Sequence, residues 1–117
     1  MVIFITGKSG AGKTTLANSL KTDTTVIIDG DDFREYFKSG FSLEEKEKHI
    51  LKMAKIAAML EKQSFSVIVA AILPTKNLRQ KARSYCRESF LIYLSGGSMW
   101  EGTEYEIPEK EELCLIR

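Results

Sequence analysis

Eight consecutive residues, Gly7-Lys8-Ser9-Gly10-Ala11-Gly12-Lys13-Thr14, carry the chain's clearest chemistry. They match G-x-x-x-x-G-K-[ST], and they stand between an apolar run, Val2-Ile3-Phe4-Ile5, and the stretch Thr15-Leu16-Ala17-Asn18-Ser19-Leu20. A strand before and a helix after form the context this phosphate-loop motif requires. Glycines let successive backbone N–H groups turn into one concavity. A helix beginning near Lys13 adds the positive end of its dipole. Lys13 supplies a full charge for β- and γ-phosphates, and the Thr14 hydroxyl supplies a hard oxygen for Mg²⁺. The expected cradle for a nucleotide's phosphates is therefore Gly7, Ser9, Gly10, Ala11, Gly12, Lys13, Thr14 and Thr15.

Phosphoryl transfer also needs a carboxylate to orient the metal and an acceptor for the attacking hydroxyl's proton. The third apolar run ends in Ala70-Ala71, so no acid is offered there. Asp29-Gly30-Asp31-Asp32, at the end of the second run, offers three. At least one of these carboxylates is the candidate for metal and proton; the bland alternative is an Asp/Gly turn that caps the next helix. Arg34 follows as a candidate cation. Phe41 lies just before a polar helix cap, and Lys46 and His49 lie one turn apart at the start of a long helix. By composition alone Phe41 reads as core and Lys46 and His49 as solvated face. A basic stretch, Thr75–Cys86, carries Lys76, Arg79, Lys81 and Arg83. It reads equally as a face whose long stems cover the sheet or, at Lys76 and Arg79, as cations near the phosphates.

The elements that must position these groups can be read from pattern. Val2–Thr6, Thr25–Ile28, Ser66–Ala71 and Phe90–Leu94 are short apolar runs that predict buried strands. Leu113–Ile116 predicts a last short strand. Helices are expected over Lys13–Lys21, in a short turn Phe33–Lys38, and over Thr75–Cys86. Ser42-Leu43-Glu44-Glu45 is a capping box. The helix it opens should run to about Lys62, burying Leu43, Ile50, Met53, Ala54, Ala57 and Leu60. Strands alternating with helices predict an α/β domain of the P-loop NTPase fold, a five-stranded, mostly parallel sheet with helices on both faces. Ligands in such sheets bind beyond the carboxyl ends of the strands. The loops at Gly7–Thr14, Asp29–Arg34, Ile72–Lys76 and Ser95–Ser98 should converge there.

Composition narrows the rest. The 117 residues predict a single domain over residues 1–117. A hydrophobic content of 44% and a net charge of +1 read as an ordinary soluble chain with no basic excess for nucleic acid. Cys86 and Cys114 have no metal-like spacing and read as buried thiols in a reducing compartment. The N-terminal apolar run is too short for a signal core, and no run is long enough to span a membrane. A cytoplasmic location is expected; the oligomeric state stays open, a homodimer included.

Several motifs together resemble the adenylylsulfate (APS) kinases. They are Gly7–Thr14; Asp29-Gly30-Asp31-Asp32-Phe33-Arg34; Gly40-Phe41-Ser42 with Ile50 downstream; and Ile72-x-Pro74 with Arg79 and Arg83. The segment Glu101-Gly102-Thr103-Glu104-Tyr105-Glu106 is similar to a reduced form of that family's Thr-Gly-Ile-Asp-x-Pro-Tyr-Glu. The resemblance implies a kinase that moves the γ-phosphate of ATP, with Mg²⁺, to the ribose 3′-hydroxyl of a small nucleotide. It puts Lys13 and Thr14 on ATP·Mg²⁺, Asp31 at the attacking hydroxyl or metal, and Arg34 on the acceptor's phosphate. Phe41 would stack on the acceptor base, with Asp29, Lys46, His49, Ile72 and Lys76 also on the acceptor side. Arg79 and Arg83 match the family's basic helix in position only. The chain departs from the family at Lys46 (usually Arg), at His49 (usually Asn), and at Ile72-Leu73-Pro74-Thr75-Lys76 (usually Ile-Ser-Pro-Tyr-Arg). The family's long basic lid is nearly absent, and Trp100 is the one large side chain in the loop that replaces it. Those departures leave room for another acceptor, such as a cytidine diphosphate derivative. They also leave room for a lidless nucleotide-binding module, or for hydrolysis to water.

Overall fold

The computed structural model describes residues 1–37, 42–99, 104–113 and 115–116. Phe41 and Trp100, both singled out above, lie outside the described residues, as does Cys114. The elements in order are β1 (Val2–Gly7), α1 (Lys13–Leu20), β2 (Thr25–Asp29), α2 (Gly30–Tyr36), α3 (Leu43–Lys62), β3 (Ser66–Ala70), α4 (Lys76–Ser84) and β4 (Ser89–Leu94). A 3₁₀ turn, Lys110–Glu112, and a two-residue strand segment, Leu115–Ile116, follow.

The strands lie in the order β2-β3-β1-β4, every pairing parallel. This corrects the expectation of a five-stranded, mostly parallel sheet: among the described residues the full strands number four. Leu115–Ile116 adds, among those residues, only a two-residue edge pairing, to Ile92 and Tyr93 of β4. The reason lies in the preceding residues. Glu109–Leu113 turns on itself, with the Glu112 carboxylate accepting from the Glu109 N–H at 2.8 Å, so a strand cannot begin at Leu113.

Alternation along each strand divides the core in two. Val2, Phe4, Val67, Val69 and Leu91 face one way, and meet Phe33 of α2, Met53, Ala54 and Ala57 of α3, and Ala82 of α4. Ile5, Ile68, Ala70 and Ile92 face the other way, onto Ala17 of α1. On α3 the buried stripe Ile50, Met53, Ala54, Ala57 is spaced i, i+3, i+4, i+7. Leu43 does not join it; at the first position of the helix it is 70% exposed. Ala54 and Ala57 are fully buried and let the helix approach the sheet, so a larger residue there would cost about 1–3 kcal/mol in overpacking.

The cap that the sequence suggests at Ser42 forms, its hydroxyl accepting from the Glu45 N–H at 3.1 Å. Thr75, expected inside its helix, instead caps α4, its hydroxyl accepting from the Leu78 N–H at 3.2 Å. Asp29 caps α2, accepting from the N–H groups of Asp31 at 2.9 Å and Asp32 at 3.5 Å, so this helix begins at Gly30, three residues before the predicted turn. Cys86 is a free, half-buried thiol, its pKa pushed up to about 11 by burial and by the charge of Glu61, which keeps it unreactive. Among the described residues no helix is long and apolar enough to cross a membrane.

Candidate active site

Register brings the loops together. Ile5 pairs with both Ala70 and Ile92, and Asp29 pairs with Ala70, so β1, β2, β3 and β4 end at one level. There a cavity of about 360 Å³ opens, lined by the phosphate loop and the first turn of α1, by Asp29, Gly30, Asp31 and Arg34, by Ile50, and by Ala70, Ala71 and Ile72.

The loop takes its shape from glycine. Gly10 and Gly12 have φ of 81° and 98°, values that cost a non-glycine residue about 1–2 kcal/mol. Gly12 is the N-cap of α1, and no side chain caps that helix. Lys13 folds back over the loop, its Nζ donating to the carbonyls of Gly7 at 3.0 Å and Lys8 at 2.8 Å. Burial lowers the Lys13 pKa below the usual lysine value, while the negative charges of Asp31 and Asp29 oppose that shift. The loop also has a brace that the sequence pattern did not reveal. Ser98 N–H donates to the Ser9 carbonyl at 2.9 Å, and a Cβ on Gly97 would stand 2.3 Å from that same oxygen. Only glycine lets the segment after β4 lie this close.

Thr14 Oγ1 donates to Asp29 Oδ2 at 2.5 Å. Asp29 therefore does two things at once: one oxygen caps α2 and the other holds the phosphate loop's hydroxyl. Asp31, given the metal role above, lines the cavity without bonding Thr14. Among the described residues no three His, Cys, Asp or Glu side chains form a metal-binding group. Mg²⁺ takes one or two protein oxygens plus phosphates and waters, and the hydroxyl–carboxylate pair of Thr14 and Asp29, with Asp31 nearby, fits that donor set.

The cavity thus brings together Ser9, Gly10, Gly12, Lys13, Thr14, Thr15, Asp29, Asp31, Arg34 and Ile72 from the sequence reading. It does not bring in Lys46, His49 or Lys76, and Gly7 and Ala11 of the expected cradle are not among its lining residues. Lys46 is exposed on α3. His49 is buried rather than solvated, its ring edge-on to Phe33 at 4.8 Å and its Nε2 without a hydrogen-bond partner among the described residues. Lys76 pairs with Glu109 at 2.8 Å. Arg79 is neither a solvated stem nor a phosphate ligand; it is 1% exposed and bound to Glu112. Ile50, Ala70 and Ala71 are walls that the sequence reading assigned to the core or to strand ends.

A family model described as adenylylsulphate kinase matches residues 1–98. The adenylyl-sulfate kinase of Paraburkholderia xenovorans is 37% identical over 98 residues, covering 77% of this chain and 55% of that protein. The chain spans about half the length of the curated relatives it matches. A Mycobacterium tuberculosis APS kinase mutant superposes with a TM-score of 0.81 at 23% identity, over 98% of this chain and 84% of that one. A second structure of that enzyme, in complex with AMPPNP and APS, gives 0.66 at 23% identity over 79% and 60%. A hexameric APS kinase from Thiobacillus denitrificans gives 0.79 at 27% identity, over 96% of this chain and 24% of that one. The matched stretch runs from β1 through the loop after β4 and contains every described residue of the cavity, which makes this chain a member of the adenylylsulphate kinase family.

Proposed function

We propose that the cavity binds MgATP along the phosphate loop and transfers the γ-phosphoryl group to a hydroxyl of a small nucleotide, with APS as the first candidate. The observation that carries this is the convergence of Lys13, the Thr14–Asp29 pair, Asp31 and Arg34 on one cavity. A site that only sensed ATP would need no cation opposite the phosphates. Family membership supports the reading, as does the APS kinase whose structure holds AMPPNP and APS.

In this mechanism Lys13 exchanges the carbonyls of Gly7 and Lys8 for phosphate oxygens and regains full charge stabilisation. The Thr14 hydroxyl and the Asp29 carboxylate would hold Mg²⁺, which would supply positive charge to offset that developing on the phosphates. Asp31 accepts the proton of the attacking hydroxyl. Arg34 binds the acceptor's phosphate and sets the line of attack. A specific observation favours a second reading of the acceptor. Lys46, His49, Thr75 and Lys76, the described polar side chains at which this chain departs from the family on the acceptor side, all stand outside the cavity lining. A different nucleotide, such as a cytidine diphosphate derivative, is therefore the alternative. The test is an acceptor screen with γ-labelled ATP: label in APS supports the first reading, label in a cytidine nucleotide the second. Label only in inorganic phosphate would reject both.

A further inference from the structure

The turn after β3 is strained. Leu73 has φ of 49°, the left-handed region in which its side chain crowds the backbone, and it precedes Pro74, which restricts it further. Such a conformation persists only where the surroundings over-determine it. Here three successive carbonyls are held. Ile72 O accepts from Thr6 Oγ1, Leu73 O accepts from Arg79 Nη1 at 2.9 Å, and Pro74 O accepts from Glu106 N–H at 2.7 Å.

The groups that hold them are fastened in turn by residues 104–113. Arg79 Nε donates to Glu112 Oε1 at 2.9 Å and Nη2 to Oε2 at 3.4 Å. The Arg79 guanidinium lies 5.9 Å from the centre of the Tyr105 ring, which stacks on Tyr93 at 6.1 Å. Thr6 has a single hydroxyl proton, committed to Ile72 O, so in its 2.8 Å contact with Tyr105 the tyrosine is the donor. Burial raises the Tyr105 pKa, against the pull of the Thr6 bond and the Arg79 charge, and so keeps that proton in place. The other side of the same turn, Ala71 and Ile72, is a wall of the cavity. Tyr105, Thr6, Arg79 and Glu112 are not part of that lining.

We propose that residues 104–113 are a fixed strap that sets the acceptor-side wall of the cavity, with Tyr105, Arg79 and Glu112 as positioning residues. The phosphate loop is held separately, by Gly97 and Ser98. Loosening the strap therefore acts on the acceptor and spares ATP. The kinetic half of this inference rests on the kinase reading; the structural half does not.

The test compares the protein with Tyr105→Phe, which keeps the ring and removes the donated proton, and with Glu112→Gln. Amide hydrogen exchange is read at Ala71, whose N–H bonds to Ile5 O at 3.2 Å, and at Lys76, against Leu16 in α1 and Met53 in α3. Tyr105→Phe should speed exchange at Ala71 and Lys76 by about tenfold, the scale of one hydrogen bond, and leave Leu16 and Met53 unchanged. The KM for the nucleotide identified in the acceptor screen should rise about three- to tenfold, with the KM for ATP within about twofold. Local acceleration without any phosphoryl transfer would uphold the strap and reject the kinase reading. Unchanged exchange at Ala71 and Lys76, equal acceleration everywhere, or a rise in ATP's KM as large as the acceptor's would overturn the strap. Glu112→Gln should give the same pattern at Ala71; if it does not fold, Tyr105→Phe alone decides.

Discussion

Asp29 joins the fold to the site, and its two oxygens can be separated by mutation. Oδ1 caps α2 through the N–H groups of Asp31 and Asp32, while Oδ2 receives the Thr14 hydroxyl at 2.5 Å. Asp29→Ala removes both contacts. Loss of an N-cap costs about 1 kcal/mol. Loss of a hydrogen bond to a charged group costs roughly 1.5–3 kcal/mol when buried, but Thr14 is exposed and water can replace its partner, so about 1 kcal/mol remains. The expected total is about 2 kcal/mol, or roughly 8 °C in Tm for a chain of this size. Asp29→Asn keeps a capping oxygen of equal rank and an amide within reach of Thr14; only the charge is lost. It should therefore cost under about 0.5 kcal/mol in the free protein, yet sharply reduce the stabilisation that MgATP provides. Urea unfolding of the three proteins, with and without MgATP, measures each quantity. If ligand-free Asp29→Asn falls as far as Asp29→Ala, or if Asp29→Ala matches the parent, the dual role is refuted.

Three further outcomes are expected. Gly97→Ala would force a Cβ to within 2.3 Å of the Ser9 carbonyl at a φ of 70°; it should cost about 1–3 kcal/mol and weaken ATP binding, as read by thermal melts with and without MgATP. Asp31→Asn should lower kcat by at least about a hundredfold while ATP binding stays within about tenfold; near-normal turnover would move the base to another carboxylate. Stability should also depend on His49. Burial first, then the positive charges of Arg34 and Lys52, hold its pKa below the ordinary 6.5. The unfolded chain therefore binds a proton that the folded one refuses, and stability, full above about pH 6.5, declines as pH falls towards the lowered folded value. His49→Gln should flatten that part of a urea-stability profile, and an unchanged profile would show that His49 titrates freely.

Features set by neighbouring residues were legible in the sequence. The φ > 0 positions of the phosphate loop announce themselves as Gly10 and Gly12, the capping box names Ser42 and Glu45, and apolar runs mark the four strands. Features set by distant partners were not. Thr6 and Tyr105 meet across 99 positions and Arg79 and Glu112 across 33, and no local period records such pairings. So a lone cation on a basic helix could be read as a phosphate ligand when it is a buried ion pair. The same blindness applies at the chain's end. Leu113–Ile116 has the composition of a strand, but Glu112 is committed to Arg79 and Glu109, and only a two-residue edge pairing remains. His49 illustrates a subtler limit: at i+3 from Lys46 it reads as a surface residue, and only the packing of Phe33 turns it inward.

Whether the γ-phosphoryl group reaches a nucleotide hydroxyl is read from ³¹P NMR of the reaction mixture. The purified protein is incubated with MgATP and, in separate samples, APS or a cytidine diphosphate derivative; the Lys13→Ala protein serves as control. Transfer gives a new phosphomonoester signal coupled to a ribose 3′ proton, growing in step with ADP and absent with Lys13→Ala. ADP formed only with inorganic phosphate, or no turnover with either acceptor while MgATP still binds, would contradict it.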